Sequence, residues 1–370
     1  MFAVFASACV ARDPAATLPA GDYEPRKEDD ALPLSKDGAA ALRNDALARA
    51  TVWRPPVPPV AEVDFRSNPP GDDSFPPDAE LVCKFLLKRS RGETPKFYCV
   101  LPGGEVLKVK YGRRNPEAFA EVAAAHLLSA LGFGADRMYR VARVRCFGCP
   151  PYPQPRFPWL DGFFSGEGRY VDIAPASVER PFPGKKIASP GADGWAFYEL
   201  EHVDAARGGA RRAEIDALRL IAVFLADWDN KSANQRLVCL PGGEDAAGGC
   251  RAPLAFLQDV GATFGPLAVD LDAWRKVPLW ADRATCRISM KAMPYHGATF
   301  VDVDLTEGGR KLLASELTQM SDAQIRDLFD GADFAHYGRG PDANRDLEGW
   351  AGAFKAKVAE IADRPPCPTP

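Results

Sequence analysis

The chain has 370 residues, of which 46% are hydrophobic and 26% charged, an ordinary globular balance with room for one large domain or two smaller ones. Its net charge of −4 supplies no field that would draw it to nucleic acid or to an anionic membrane. No uninterrupted apolar run reaches bilayer-spanning length, so no transmembrane helix is expected.

Residues 1–78 read as a Pro-rich leader, with RPPVPPV and SNPPGDDSFPP resisting helix. One short helix is expected within SKDGAAALRNDALARA. The opening MFAVFASAC is apolar but lacks the basic n-region of a signal peptide. Ala6-Ser7-Ala8-Cys9 loosely matches a bacterial lipoprotein cleavage site, without the usual Leu three before the Cys. Location therefore stays open between the cell envelope, lipid-anchored at Cys9, and the cytoplasm. Of nine cysteines, Cys239 and Cys250 flank a turn-rich insert. They would face each other across a hairpin and form a disulfide in an exported protein; buried free thiols are the alternative. Cys146 and Cys149 make a lone C-x-x-C with no second pair at zinc-finger spacing.

At residue 80 the pattern changes. Runs at 80–88, 96–101 and 105–111 read as three consecutive antiparallel strands, joined by a polar turn at 90–95 and by Pro102-Gly103-Gly104. A helix follows, with Asn115 as N-cap, Pro116 in the first turn and Gly132 as its stop. A strand at 139–144 leads into a Pro/Gly/aromatic region that lasts to about residue 195. The run 195–203 reads as a strand. The run 213–225 reads as a helix that is apolar almost all round at its end, and therefore buried. Strands at 235–240 and 254–258 flank the cysteine-bounded insert. Beyond them the chain is mostly helical, with a capping box at Ser321 and Gln324 and a final amphipathic helix at 344–363. The expected fold class is α+β: a small antiparallel β-rich part over 79–200, a mainly helical part over 201–364 and a tail at 365–370.

Chemistry concentrates where the apolar helix ends, in ADWDNKSANQ (226–235). Asp229, Lys231 and Asn234 stand at i, i+2 and i+5. In a phosphoryl-transfer loop an Asp orients the attacking hydroxyl, and an Asn five residues on holds a metal ion. A Lys between them can neutralise charge developing on the transferred group. A polar turn is the plain alternative. Downstream, the strand at 254–258 runs into Asp259-Val260-Gly261, a carboxylate at a strand end suited to a second metal ligand. Upstream, Lys108 and Lys110 project to one face of the third strand and could meet nucleotide phosphates. The partner of such a lysine should be a Glu on the next helix, where Glu117 and Glu121 lie one turn apart. Four histidines without metal-ligand spacing argue against a His-based zinc enzyme. G-x-S-x-G and G-x-x-x-x-G-K-[ST] are absent.

In this order, strand Lys, helix Glu, D-x-K-x-x-N and D-x-G resemble the protein-kinase-like superfamily over about 80–265. They are closest to its atypical branches: HipA-type, secretory-pathway and phosphoinositide kinases. In those branches the helix Glu precedes a Gly by eleven residues, as Glu121 precedes Gly132. Trp228 takes the place of the arginine and Asp227 that of the histidine in H-R-D. The resemblance implies a two-lobed fold, with an N-lobe over 79–200 and a C-lobe over 201–364. It implies ATP and Mg²⁺ as cofactors. Lys110, with Lys108 as rival, would contact the phosphates and Glu121 would hold that lysine. Asp229 would orient the acceptor hydroxyl, Lys231 would steady the γ-phosphoryl, and Asn234 and Asp259 would bind the metal. The chain departs from the pattern in lacking G-x-G-x-x-G; the turn from Ser90 to Lys96 is the one candidate to cover the phosphates. It also lacks an A-P-E segment. The acceptor stays open among protein, sugar, lipid headgroup and metabolite. The rival readings are a pseudokinase-like nucleotide-binding or scaffold module and an exported structural envelope protein.

Overall fold

A computed structural model describes residues 17–26, 31–32, 38–90, 92–153, 168–245, 248–294 and 299–368. The Cys9 expectation lies outside them. The protein is a mixed α and β structure built on a seven-stranded, mostly antiparallel sheet and several helices.

The three expected strands form: β1 (Glu80–Leu86), β2 (Lys96–Val100) and β3 (Val106–Tyr111), paired antiparallel in sequence. Four more join them. The run expected as one strand at 139–144 breaks into β4 (Arg137–Val141) and β5 (Arg143–Phe147). The break falls at Ala142, whose N–H donates to Ala79 O at 2.9 Å. The two halves then go to opposite sides of the sheet, and β5 makes its one parallel pairing, with β1. The Pro/aromatic region supplies β6 (Tyr170–Ile173) and β7 (Ala176–Arg180), giving the order β4-β7-β3-β2-β1-β5-β6. Strand β7 thus lies against β3, with Glu179 directly opposite Lys108.

Asn115 caps as expected, but its side-chain Oδ1 accepts from Glu117 N at the head of a short 3-10 turn, Pro116–Ala118, and α2 begins after it (Ala120–Ala130). Almost every α2 side chain is buried, because the helix is packed between the sheet and the helical part. The expected helix before it is α1 (Ala39–Ala48). Helix α3 (Arg212–Leu225) is buried along nearly its whole length. The helical part continues with α4 (Leu271–Lys276), α5 (Glu307–Leu317), α6 (Asp322–Gly331) and α7 (Leu347–Ala362). An aromatic cluster of Phe224, Phe264, Trp274, Phe329, Trp350 and Phe354 joins α3, α4, α6 and α7, mostly edge to face, with Phe329 stacked on Trp350.

The strand expected at 195–203 is instead a 3-10 segment, Phe197–His202. Glu199 accepts from Ala196 N at 2.8 Å, which closes the turn locally, and its other oxygen pairs with buried Arg43 of α1 at 2.8 Å. A short strand, β8 (Lys185–Lys186), pairs with β9 (Gln235–Cys239), which pairs antiparallel with β10 (Pro253–Leu257) to complete a second sheet. The expected Cys239–Cys250 disulfide closes the insert. Cys83–Cys99, Cys146–Cys149 and Cys286–Cys367 are also bonded, so the C-x-x-C is a disulfide.

Candidate functional site

The end of α3 explains the polar stretch that follows it. Ala226 takes a left-handed conformation, φ 54° and ψ 47°, and Asp227 N donates back to Ala222 O at 3.0 Å. This stops the helix and turns the chain outward. Asn230 Nδ2 donates to Asp227 O at 2.7 Å, and Trp228 N to Ala262 O at 3.2 Å. The loop is thereby pinned to its own base and to the turn after β10.

Asp229, Lys231 and Asn234 converge. Lys231 Nζ lies 3.0 and 2.8 Å from the two Asp229 oxygens. Asn234 Nδ2 donates to Asp229 O at 2.6 Å and to Oδ2 at 3.2 Å. With its NH₂ committed to Asp229, Asn234 keeps Oδ1 as an acceptor. The register of β9 and β10 pairs Gln235 with Leu257, so Asn234 and Asp259 leave the same end of one hairpin. Gln258 N donates to Asn234 O at 2.8 Å and closes that end.

Lys108, Lys110, Glu121 and Asp259 meet in a second, buried cluster. Lys110 is fully buried and is hydrogen-bonded to Glu121. Its Nζ also lies 3.2 Å from Asp259, 3.1 Å from Glu179 and 3.5 Å from Glu117. Lys108 pairs with Glu179 at 2.7 Å instead. Of the two rivals, Lys110 therefore joins strand, helix and the turn after β10.

Three members of this cluster were not singled out from sequence: Glu179, Lys96 and, as a joint partner, Glu117. Glu179 sits on β7, inside a stretch read as irregular, although its ASVER alternation carries a weak strand signal. Lys96 is buried and donates to Glu117 Oε2 at 2.8 Å. It lies directly opposite Lys110 across β2 and β3. Glu117 also accepts from Thr94 Oγ1 in the β1–β2 turn. Glu199 and Glu201 are held in ion pairs with Arg43 and Arg219.

Burial alone would drive Lys110 towards its neutral form, but the carboxylates of Glu121, Glu179, Asp259 and Glu117 hold its ammonium well above the ordinary value. Burial would likewise raise Asp259; Lys110, Lys108 and Lys96 outweigh it and hold the carboxylate ionised, well below its usual range. Glu179 is lowered to about 2: burial would raise it, and Lys108 and Lys110 outweigh that. Burial pushes Asp227 up to about 8, with Asp229 and Asp259 adding to the effect. Asp227 is thus held as a neutral carboxyl beside the ionised Asp259.

Glu117, Glu121 and Asp259 each present an oxygen within 4.8 Å of the others. Hard oxygen donors of this kind suit Mg²⁺ or Mn²⁺. Asp259 keeps 34% of its side chain exposed, so the group is reachable from outside.

The sequence matches no described protein family and no curated protein. Among solved structures it is similar to a Helicobacter pylori proinflammatory kinase, CtkA, at 11% identity and a TM-score of 0.43, over 76% of this chain and 96% of that one. The functional reading therefore rests on the side chains themselves.

Proposed function

We propose that the protein is an ATP- and Mg²⁺-dependent phosphotransferase with a two-lobed, atypical kinase-like fold. One observation carries the reading. A buried Lys–Glu pair from a strand and its following helix is joined to Asp259, while Asp229 and Asn234 leave the same hairpin end as Asp259. A polar turn or surface ion pair gives no reason to bury Lys110 completely among four carboxyl groups, which is costly unless the charges are used together.

In this reading Lys110 reaches the nucleotide phosphates and Glu121 keeps it extended towards them. Asp229, partly exposed, accepts the hydrogen bond of the acceptor hydroxyl and aims its oxygen. Lys231, paired with Asp229, would offset charge gathering on the γ-phosphoryl group. Asn234 and Asp259 hold Mg²⁺, which when bound neutralises phosphate charge. Positioning and electrostatics supply most of the acceleration in such transfers, so loss of Asp259 should cost several orders of magnitude in rate. The four disulfides favour an oxidising compartment such as the cell envelope over the cytoplasm.

Intact-mass measurement after incubation with ATP and Mg²⁺ tests the transfer step. A phosphoryl increment, lost in Asp229→Ala, is expected; an adenylyl increment would instead assign nucleotide transfer. Nucleotide binding without phosphate release or transfer to any acceptor would favour the pseudokinase-like alternative.

A further inference from the structure

We propose that Glu117 is a metal ligand, and that Glu117, Glu121 and Asp259 together form a divalent-cation site that fills before nucleotide arrives. The proposal deepens the phosphotransferase reading, since it shares Asp259 with it.

Three observations point the same way. The first is proximity: the three carboxyl groups bring oxygens within 4.8 Å of one another. The second is a missing partner. Glu121 is 1% exposed, and its Oε1 has no hydrogen-bond partner, although Oε2 is bonded to Lys110. A buried carboxyl oxygen left without a donor is costly, and a cation is the partner its position lacks. The third is a cradle cut for Glu117. A Cβ on Gly261 would lie 2.6 Å from Glu117 Cγ and 3.1 Å from its Cβ. Only glycine lets the turn carrying Asp259 close onto Glu117. The glycine of Asp259-Val260-Gly261 therefore does more than permit a turn: it seats a second carboxylate beside the first.

Lys96, Lys108 and Lys110 face Glu117, Glu121, Glu179 and Asp259, so carboxyl groups outnumber ammoniums by one. Lys110 Nζ is in reach of all four carboxyl groups and acts as their common counter-charge. A divalent ion held by Glu117, Asp259 and the unpartnered Oε1 of Glu121 would share that task, while Glu121 Oε2 keeps Lys110 turned towards phosphate. Glu117 also bonds Thr94 and Lys96, so the same ion would couple the β1–β2 turn to the site.

The test is Mn²⁺ titration of the full chain without nucleotide, followed by electron paramagnetic resonance. Wild type should bind Mn²⁺ saturably, and Glu117→Gln should weaken binding by about tenfold or more. Circular dichroism checks that the variant is folded. Wild-type protein that binds no Mn²⁺ without nucleotide overturns the proposal whatever the variant does, as does a folded Glu117→Gln that binds like wild type. If Mn²⁺ binds through Glu117 but ATP never does, the cation site stands and the phosphotransferase reading falls. If Mg²⁺–ATP binds and Glu117→Gln leaves Mn²⁺ binding unchanged, the reverse holds.

Discussion

Lys110 and Gly261 show how tightly single residues are committed. Lys110 is buried against Glu121, with three more carboxyl groups in reach. Removing its charge in Lys110→Met leaves those groups without their main counter-ion, and breaking a buried pair from one side costs about 3–5 kcal/mol. Denaturant unfolding should show that loss, so loss of activity in this variant needs a stability measurement beside it. Gly261→Ala should cost about 1–3 kcal/mol by overpacking against Glu117. It should also weaken Mg²⁺-dependent nucleotide binding, because Glu117 and Asp259 are pushed apart; calorimetry reads both effects. Much of the site was legible from sequence at this scale where the signal is local. Asp229, Lys231 and Asn234 lie within six residues, and their spacing marks a candidate loop once it is read together with Lys110, Glu121 and Asp259, a polar turn being its reading alone. Glu179 was not legible, because it reaches Lys108 only through a strand pairing distant in sequence. Glu117 was visible only as a rival to Glu121. The sequence shows one helical turn between them, whereas the structure begins α2 after a 3-10 turn and brings both to Lys110.

At the scale of elements, α2 is the clearest case. It must be buried on all sides, and its one histidine must be buried with it. His126 Nε2 lies 2.9 Å from Met138 O and donates to that carbonyl. Burial pushes the imidazole down to about 4, against the pull of that hydrogen bond. The unfolded chain therefore binds a proton near pH 6.5 that the folded protein refuses until about pH 4. Stability from this group is complete above pH 6.5 and is lost as pH falls towards 4, at up to about 1.4 kcal/mol per pH unit. His126→Gln should flatten the stability profile over that window in urea titrations; an unchanged slope would contradict the burial. The helices with strong periodic patterns and caps were readable in the sequence, as Ser321 with Gln324 shows. The strands within 137–180 were not. A single alternating run hides the break at Ala142, and prolines mask β6 and β7. At 195–203 a β-like composition is overruled by the bonds of Glu199 to Ala196 and Arg43.

Across the whole molecule, covalent links reinforce the packing. All eight cysteines among the described residues are paired. Cys286–Cys367 ties the end of the chain to residues 81 positions earlier. The double variant Cys286→Ser/Cys367→Ser should lose about 2–4 kcal/mol, read as a lower denaturant midpoint. Thiol labelling under denaturing, non-reducing conditions should find none of these eight cysteines free. The proposed function requires the buried lysine cluster and the Asp229 loop to act together on one nucleotide. It is tested most directly by calorimetric titration of the folded protein with ATP in the presence of Mg²⁺. The account predicts saturable binding that requires Mg²⁺ and is lost in both Asp259→Ala and Asn234→Ala. Folded wild-type protein that binds neither ATP nor any other nucleoside triphosphate, or variants that bind as tightly as wild type, would contradict it.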